Sequence, residues 1–90
     1  MKTYACILEN INGKWVVPCG SDSYVVLDGR LNADNALNQA IEHFTRVKPS
    51  AKAVAVYKAQ SLGHSGRVVA TWPYGCENMF TAAVNRGAYK

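Results

Sequence analysis

The alternation of apolar and polar positions at the start of the chain predicts a β-hairpin. In the stretch CILENINGKWVVPC two β-rich runs meet at Asn12-Gly13. This dipeptide favours a type I′ turn, because both central positions of that turn need a positive φ. The two-residue loop fixes a register in which Asn10 faces Trp15 and Glu9 faces Val16.

The same register would place Cys6 opposite Cys19, at the two ends of this stretch. Pro18 has no N–H to give to a ladder, so we expect the pairing to end near Val17, short of the cysteines. Three cysteines are an odd number, and the first residues hold no apolar run long enough for a signal peptide. We therefore expect free thiols and an intracellular, cytoplasmic protein.

A third strand and an amphipathic helix follow the hairpin. The run from Tyr24 to Leu27 predicts a strand that completes a β-meander. Asn32 is placed to cap a helix, and Pro49 stops it because proline pushes the preceding residue out of the α region. Between them the following apolar residues recur at helical spacing: Ala36, Leu37, Ala40, Ile41, Phe44 and Val47.

The segment AKAVAVYKA alternates as a strand whose two faces differ in size. Ala53 and Ala55 point to one face, while Val54 and Val56 point to the other. Because small side chains let a helix lie close, we expect the two alanines to lie beneath the amphipathic helix. The flanking lysines would then guard the far face or an edge.

The last third of the chain predicts a strand, RVVATW, that closes a second hairpin, and a short C-terminal helix, ENMFTAAVNRG. Gly87 would end that helix as its C′ residue. Its apolar side is formed by Met79, Phe80, Ala83 and Val84. The pattern as a whole predicts a single compact α+β domain over residues 1–90: a three-stranded antiparallel meander, one amphipathic helix packed on the sheet, a closing β-hairpin and the short helix.

Composition and charge narrow the class of protein. With 49% apolar and 18% charged residues, the 90-residue chain is typical of a globular domain. No apolar stretch approaches the ~20 residues of a membrane-spanning helix. The net charge of +4 favours nucleic acid, a ribonucleoprotein or an acidic protein face as partner, although solubility explains it equally well.

Enzyme motifs are incomplete in this sequence. The segment GHSGR resembles a nucleophile elbow, but Arg67 stands where that motif needs glycine. The same glycines beside Arg67 lack the spacing and lysine of a phosphate-binding loop. The six acidic residues are scattered, so paired carboxylates for acid and base chemistry are missing. We expect a protein that is not an enzyme.

The sequence also lacks the ligand spacing of a metal site. The candidate zinc ligands are Cys6, Cys19, Cys76, His43 and His64. Structural zinc sites use closely spaced pairs such as Cys-x-x-Cys, and this chain has none. We expect no metal and no cofactor.

The remaining candidate site is a basic surface. Its proposed members come from one helix end and two adjacent strands: Arg46, Lys48, Lys52, Lys58 and Arg67. Tyr57, Trp72 and Tyr74 are near them in sequence. Cations among aromatics suit a phosphate backbone with stacked bases, or a protein hot spot. Alternatively, Tyr57 and Trp72 belong to the core. If the basic set is only a solvated surface, attention moves to the outer helix face around Asn38, Gln39 and His43.

A very short chain that begins MKTYACILENINGKW, with a meander, one helix and a closing hairpin, resembles the small proteins that phages encode against host machines. Anti-CRISPR proteins and RNA polymerase inhibitors are examples. The resemblance, one of size and style, implies an inhibitor that occludes a surface on a host protein or ribonucleoprotein. Direct RNA or DNA binding is the alternative, and a small enzyme is the third. Steep salt dependence would favour direct nucleic-acid binding.

Overall fold

The computed structural model describes residues 2–18, 20–61 and 66–85. These residues form strands β1 (Lys2–Ile7), β2 (Glu9–Ile11), β3 (Lys14–Val16), β4 (Tyr24–Leu27), β5 (Val54–Ala59) and β6 (Gly66–Trp72), and helices α1 (Ala33–Val47) and α2 (Glu77–Asn85). A single 3₁₀ turn spans Ser21–Ser23. Four strands form one antiparallel sheet in the order β4-β1-β5-β6, and β2 and β3 form a separate hairpin. The α+β class predicted from the sequence is confirmed.

The small β2–β3 hairpin has the predicted turn and register. Asn12 and Gly13 both have positive φ, 54° and 84°, and the N–H of Gly13 donates to Asn10 Oδ1 at 3.0 Å. Asn10 pairs with Trp15, and the ladder ends at the pair of Glu9 with Val16. The predicted end of pairing before Pro18 is therefore confirmed.

The meander differs from the expected one in its pairing. Strand β4 is hydrogen-bonded to β1, and β5 lies on the other side of β1. Cys6 therefore has Tyr24 and Ala55 as its strand neighbours, and the expected hairpin does not run on through it. After Lys2, every residue of β1 is buried. A strand that is apolar on both faces belongs in the centre of a sheet with both faces covered.

Helix α1 begins and ends as predicted. The side chain of Asn32 accepts a hydrogen bond from the N–H of Asn35 at 2.8 Å, as an N-cap residue does. The helix ends just before Lys48, whose N–H donates to the carbonyl of Phe44 at 2.7 Å. Val47, expected on the apolar face, is 45% exposed, so the buried face of the helix ends at Phe44.

The faces of β5 are reversed relative to the expectation. The face of Val54 and Val56 packs with α1, in a cluster that also holds Ala5, Ile7, Ala36, Leu37, Ala40 and Phe44. Ala53 and Ala55 lie on the other face, in a cluster with Tyr57 and with Phe80 of α2. Both faces are therefore covered. The small alanines share their cluster with the large aromatic rings, whereas the branched valines fill the space under α1.

Helix α2 packs against β6 and confirms the predicted C-terminal helix. Phe80, Ala83 and Val84 are buried as expected, but Met79 is 52% exposed. The buried hydroxyl of Thr71 donates to the carbonyl of Pro73 at 2.7 Å and lies 3.3 Å from Glu77 Oε2, so it joins the end of β6 to the start of α2. The proposed C′ residue, Gly87, lies outside the described residues.

Candidate functional site

The five predicted basic residues are spread over the end of α1, the segment after it, and strands β5 and β6. Lys58 of β5 lies directly opposite Arg67 of β6. Lys52 precedes β5 and is separated from Lys58 by six positions, which corresponds to roughly 20 Å along an extended chain. These two lysines therefore lie near opposite ends of β5 and are not brought side by side.

Lys48 lies with Trp72 in a shallow pocket at the end of α1. The pocket has a volume of about 160 Å³. Its lining comes from α1, the segment after it, and the facing ends of β5 and β6: Ile41, Phe44, Thr45, Lys48, Pro49, Ala51, Val54 and Trp72. Val54 and Trp72 are cross-strand neighbours. The pocket is thus mainly apolar, with a single cation at its edge.

Lys52 lies in a second pocket, of about 420 Å³, on the other side of the same segment. Its lining residues are Leu8, Glu9, Asn10, Trp15, Ser50, Ala51 and Lys52. Ala51 lines both pockets. We call this surface the double pocket: two pockets divided by residues 48–52, one holding Lys48 and Trp72, the other holding Lys52 and Trp15.

The dividing segment is tied to the fold on both sides. The N–H of Ala51 donates to the carbonyl of Lys48 at 3.0 Å, which closes a turn at Pro49. The carbonyl of Ala53 accepts from the N–H of Leu8 at 3.0 Å, which continues the pairing of β1 with β5. Residues 48–52 therefore have a defined path between a helix end and a central strand.

Arg46 lies apart from the double pocket. It is exposed and lines a groove of about 350 Å³ beside β4, with Val25, Val26, Leu27, Gln39, Glu42 and His43. It is in the last turn of α1, where a cation interacts favourably with the negative end of the helix dipole. The outer helix face named as the alternative site, with Gln39 and His43, shares this groove.

The aromatic residues divide into core and surface. Tyr57 is fully buried and its ring centroid lies 5.7 Å from that of Tyr4. Trp72 and Tyr74 are 41% and 80% exposed. Trp15, which sequence reasoning did not select, is half-buried, with its ring edge-on to Phe80 at 5.0 Å. The predicted hairpin register already paired Trp15 with Asn10, and both residues line the second pocket.

The charges of the double pocket are predominantly positive. Glu9 is the acidic residue that lines it. Within the described part of the chain, the ion pair between charged side chains is Arg30 with Asp28, at 2.8 Å and away from both pockets. That guanidinium holds the pKa of the Asp28 carboxyl below its ordinary value. Lys48 and Lys52 make no such pair with any described residue.

The structure describes the thiols and the incomplete motifs in part. Cys6 and Cys76 are free, and burial raises the pKa of the Cys6 thiol to about 12. Cys19 lies outside the described residues, as do Gly63, His64 and Ser65 of the GHSGR segment. Over residues 2–18, 20–61 and 66–85, no three His, Cys, Asp or Glu side chains are grouped as a metal site requires.

Neither helix of the described structure is long and apolar enough to cross a bilayer. No protein-family model, no curated protein and no solved structure matches this chain.

Proposed function

We propose that this protein is a non-enzymatic binding protein that docks, through its double pocket, on an acidic face of a larger protein or ribonucleoprotein. The observation that carries the proposal is the arrangement around residues 48–52. Lys48 and Lys52, at the two ends of this segment, each share a pocket with a tryptophan from another part of the chain, Trp72 of β6 and Trp15 of β3.

This arrangement fits an acidic protein segment with apolar side chains. Ile41, Phe44 and Val54 give the first pocket an apolar lining that accepts such a side chain. Lys48 and Lys52 make no ion pair with any described residue. They are therefore available to bind carboxylates that flank the apolar side chain of the partner. Tryptophan is enriched among residues that carry most of an interface's binding energy.

Inhibition is the mode of action that the resemblance to small phage proteins supports. The resemblance, one of size and style, implies a protein that acts by covering a surface that its target needs. The proposed target is a host protein or ribonucleoprotein in the cytoplasm, and no membrane contact is involved.

Direct RNA or DNA binding is the second candidate. The net charge of +4 and the adjacent cations Lys58 and Arg67 favour it. The double pocket fits it less well, because Glu9 lines one side and the ring of Trp15 already contacts Phe80. Phosphate-driven binding falls steeply with salt, so a weak salt dependence would favour the protein partner.

Two matched charge reversals test the proposal. The variant Lys48→Glu/Lys52→Glu changes the double pocket, and Lys58→Glu/Arg67→Glu makes the same change in charge at the other end of the sheet. Each tagged protein is used for affinity purification from a bacterial host lysate, with and without nuclease. We expect the first variant alone to lose a nuclease-resistant partner, with both variants melting near the wild-type temperature.

Trp72→Ala extends the test to the apolar half of the first pocket and should weaken recovery of the same partner. Equal recovery by wild type and the Lys48→Glu/Lys52→Glu variant would exclude the double pocket. Loss of the partner on nuclease treatment, or in the Lys58→Glu/Arg67→Glu variant alone, would favour the nucleic-acid alternative.

A further inference from the structure

The two outer edges of the four-stranded sheet are built differently. The β6 edge carries several features that discourage pairing with another strand. It holds the charged Arg67, has an irregular register against β5, and is followed directly by Pro73. At its start, the N–H of Gly66 donates to Asn85 Oδ1 of α2 at 2.9 Å. Charges, bulges, prolines and covering elements are the devices by which proteins blunt sheet edges.

The β4 edge is short, at four residues, but within the described part of the chain it has no bulge. Its four residues, YVVL, include no charge and no proline, and its register with β1 is regular from Thr3–Leu27 to Cys6–Tyr24. Among the described strands, β1 alone is hydrogen-bonded to β4. Val26, near the middle of this edge, is 63% exposed, the most exposed valine of the described chain.

We propose that β4 is a dimerisation edge, at which a second copy of this chain adds its own β4 in antiparallel orientation. A two-fold axis perpendicular to the sheet would then join two four-stranded sheets into one of eight strands. Residues that face each other in an antiparallel pair point to the same side of the sheet. Two residues that pair across the two-fold axis must therefore be an even number of positions apart in the sequence, so the axis passes through one residue and not between two. Within β4 this central residue is Val25 or Val26.

The charges that flank β4 select Val26. Asp22 precedes the strand, and Asp28 and Arg30 follow it. A register centred on Val26 brings the 3₁₀ turn that holds Asp22 in each copy towards the turn that holds Arg30 in the other, where the opposite charges attract. A register centred on Val25 brings Asp22 towards Asp28 instead, which is repulsive.

Arg30 is able to make this second contact. Its side chain is 91% exposed while it binds Asp28 at 2.8 Å. A guanidinium has five N–H donors, so donors remain for the carboxylate of Asp22 in the other copy. The selected register also places Val26 against Val26 and Val25 against Leu27 of the second copy, which covers the exposed apolar edge.

The dimer leaves the double pocket open. Trp72 belongs to β6, at the edge of the sheet opposite to β4. The two copies would therefore present their Trp72 pockets at the two far ends of the joined sheet. The dimer does not depend on the proposed partner, because it forms between two copies of the purified protein.

Sedimentation velocity over a range of micromolar to millimolar concentrations tests the dimer. We expect the wild type to show a concentration-dependent monomer–dimer equilibrium. Val26→Lys should weaken it by about tenfold or more, because it removes the valine contact and sets two lysines opposite each other. Val47→Lys, at an exposed valine of α1, is the matched control and should dimerise as wild type does.

Cysteine cross-linking checks the register without relying on the fold of the lysine variant. In a Cys19→Ser/Cys76→Ser background, Val26→Cys should give a disulfide-linked dimer on mild oxidation, well above the level for Val47→Cys. The inference is overturned by a wild type that stays monomeric up to millimolar concentration. It is equally overturned by a dimer that Val26→Lys does not weaken, or by equal cross-linking of the two cysteine variants.

Discussion

Lys58 and Arg67 face each other across strands β5 and β6, so two like charges lie side by side on one face of the sheet. Like charges directly opposite each other in an antiparallel pair destabilise it. Replacing Lys58 by Glu turns this repulsion into attraction, and we expect a gain of roughly 0.2–1 kcal/mol in the free energy of unfolding. Urea denaturation measures it. Lys14→Glu, opposite the uncharged Ile11, is the control and should change little.

Gly66 lies where a side chain does not fit. A Cβ atom at this position would lie 2.7 Å from the carbonyl oxygen of Lys58 and 2.9 Å from Cδ2 of Tyr57. Because a backbone atom cannot move aside cheaply, Gly66→Ala should destabilise the protein by roughly 1–3 kcal/mol. In Gly29→Ala the nearest atom would be 3.9 Å away, so this variant should unfold near the wild-type midpoint. Equal midpoints for the two variants would contradict the close approach of β6 to β5.

The reversal of the β5 faces changes what substitutions there should do. Ala55→Leu overpacks the cluster shared with Phe80, and Val54→Thr places a hydroxyl under α1. Each should cost roughly 1–3 kcal/mol, since both faces of β5 are buried. Val47→Thr, at an exposed helix position, should stay within about 0.5 kcal/mol of wild type. A large loss for one β5 variant alone would mean that just one face is covered.

The buried thiol of Cys6 should make the protein sensitive to alkali. Burial raises its pKa from the ordinary 9.0 to about 12, so above pH 9 the unfolded chain loses this proton while the folded chain keeps it. This contribution to stability is therefore full well below pH 9 and is lost as pH rises towards 12, with a slope that reaches at most about 1.4 kcal/mol per pH unit between the two pKa values.

Cys6→Ala isolates this contribution from the other groups that titrate in alkali. The variant should be less stable than wild type at pH 7, because it leaves a cavity, and the difference should shrink as the pH rises from 9. Chemical denaturation at a series of pH values measures both proteins. A difference that stays constant with pH would show that Cys6 titrates alike in the folded and unfolded chains.

Local signals explain the parts of the fold that the sequence predicted. The turn at Asn12-Gly13 depends on backbone conformations that those two residues tolerate, and α1 depends on its cap at Asn32 and its stop at Pro49. Each signal acts within a few residues. The sequence was therefore sufficient for the hairpin register and for both ends of the helix.

Choices between distant segments were not predictable in this way. Alternation in β5 showed that valines and alanines lie on opposite faces, but which face meets α1 depends on where α2 packs. The five basic residues did not come together at one place for a related reason. Lys52 and Lys58 are close in sequence, yet an extended strand carries them to opposite ends of the sheet, whereas Trp15 reaches Lys52 through the hairpin.

The central position of β1 has a consequence for the kinetics of folding. Its pairing with β5 joins the beginning of the described chain to residues more than half its length away, with β2, β3, β4 and α1 between them. Closing so long a loop costs entropy before the contact is gained, which slows folding. The β2–β3 hairpin and α1 can form early from local contacts, and the sheet that joins them would be completed in a later, rate-limiting step.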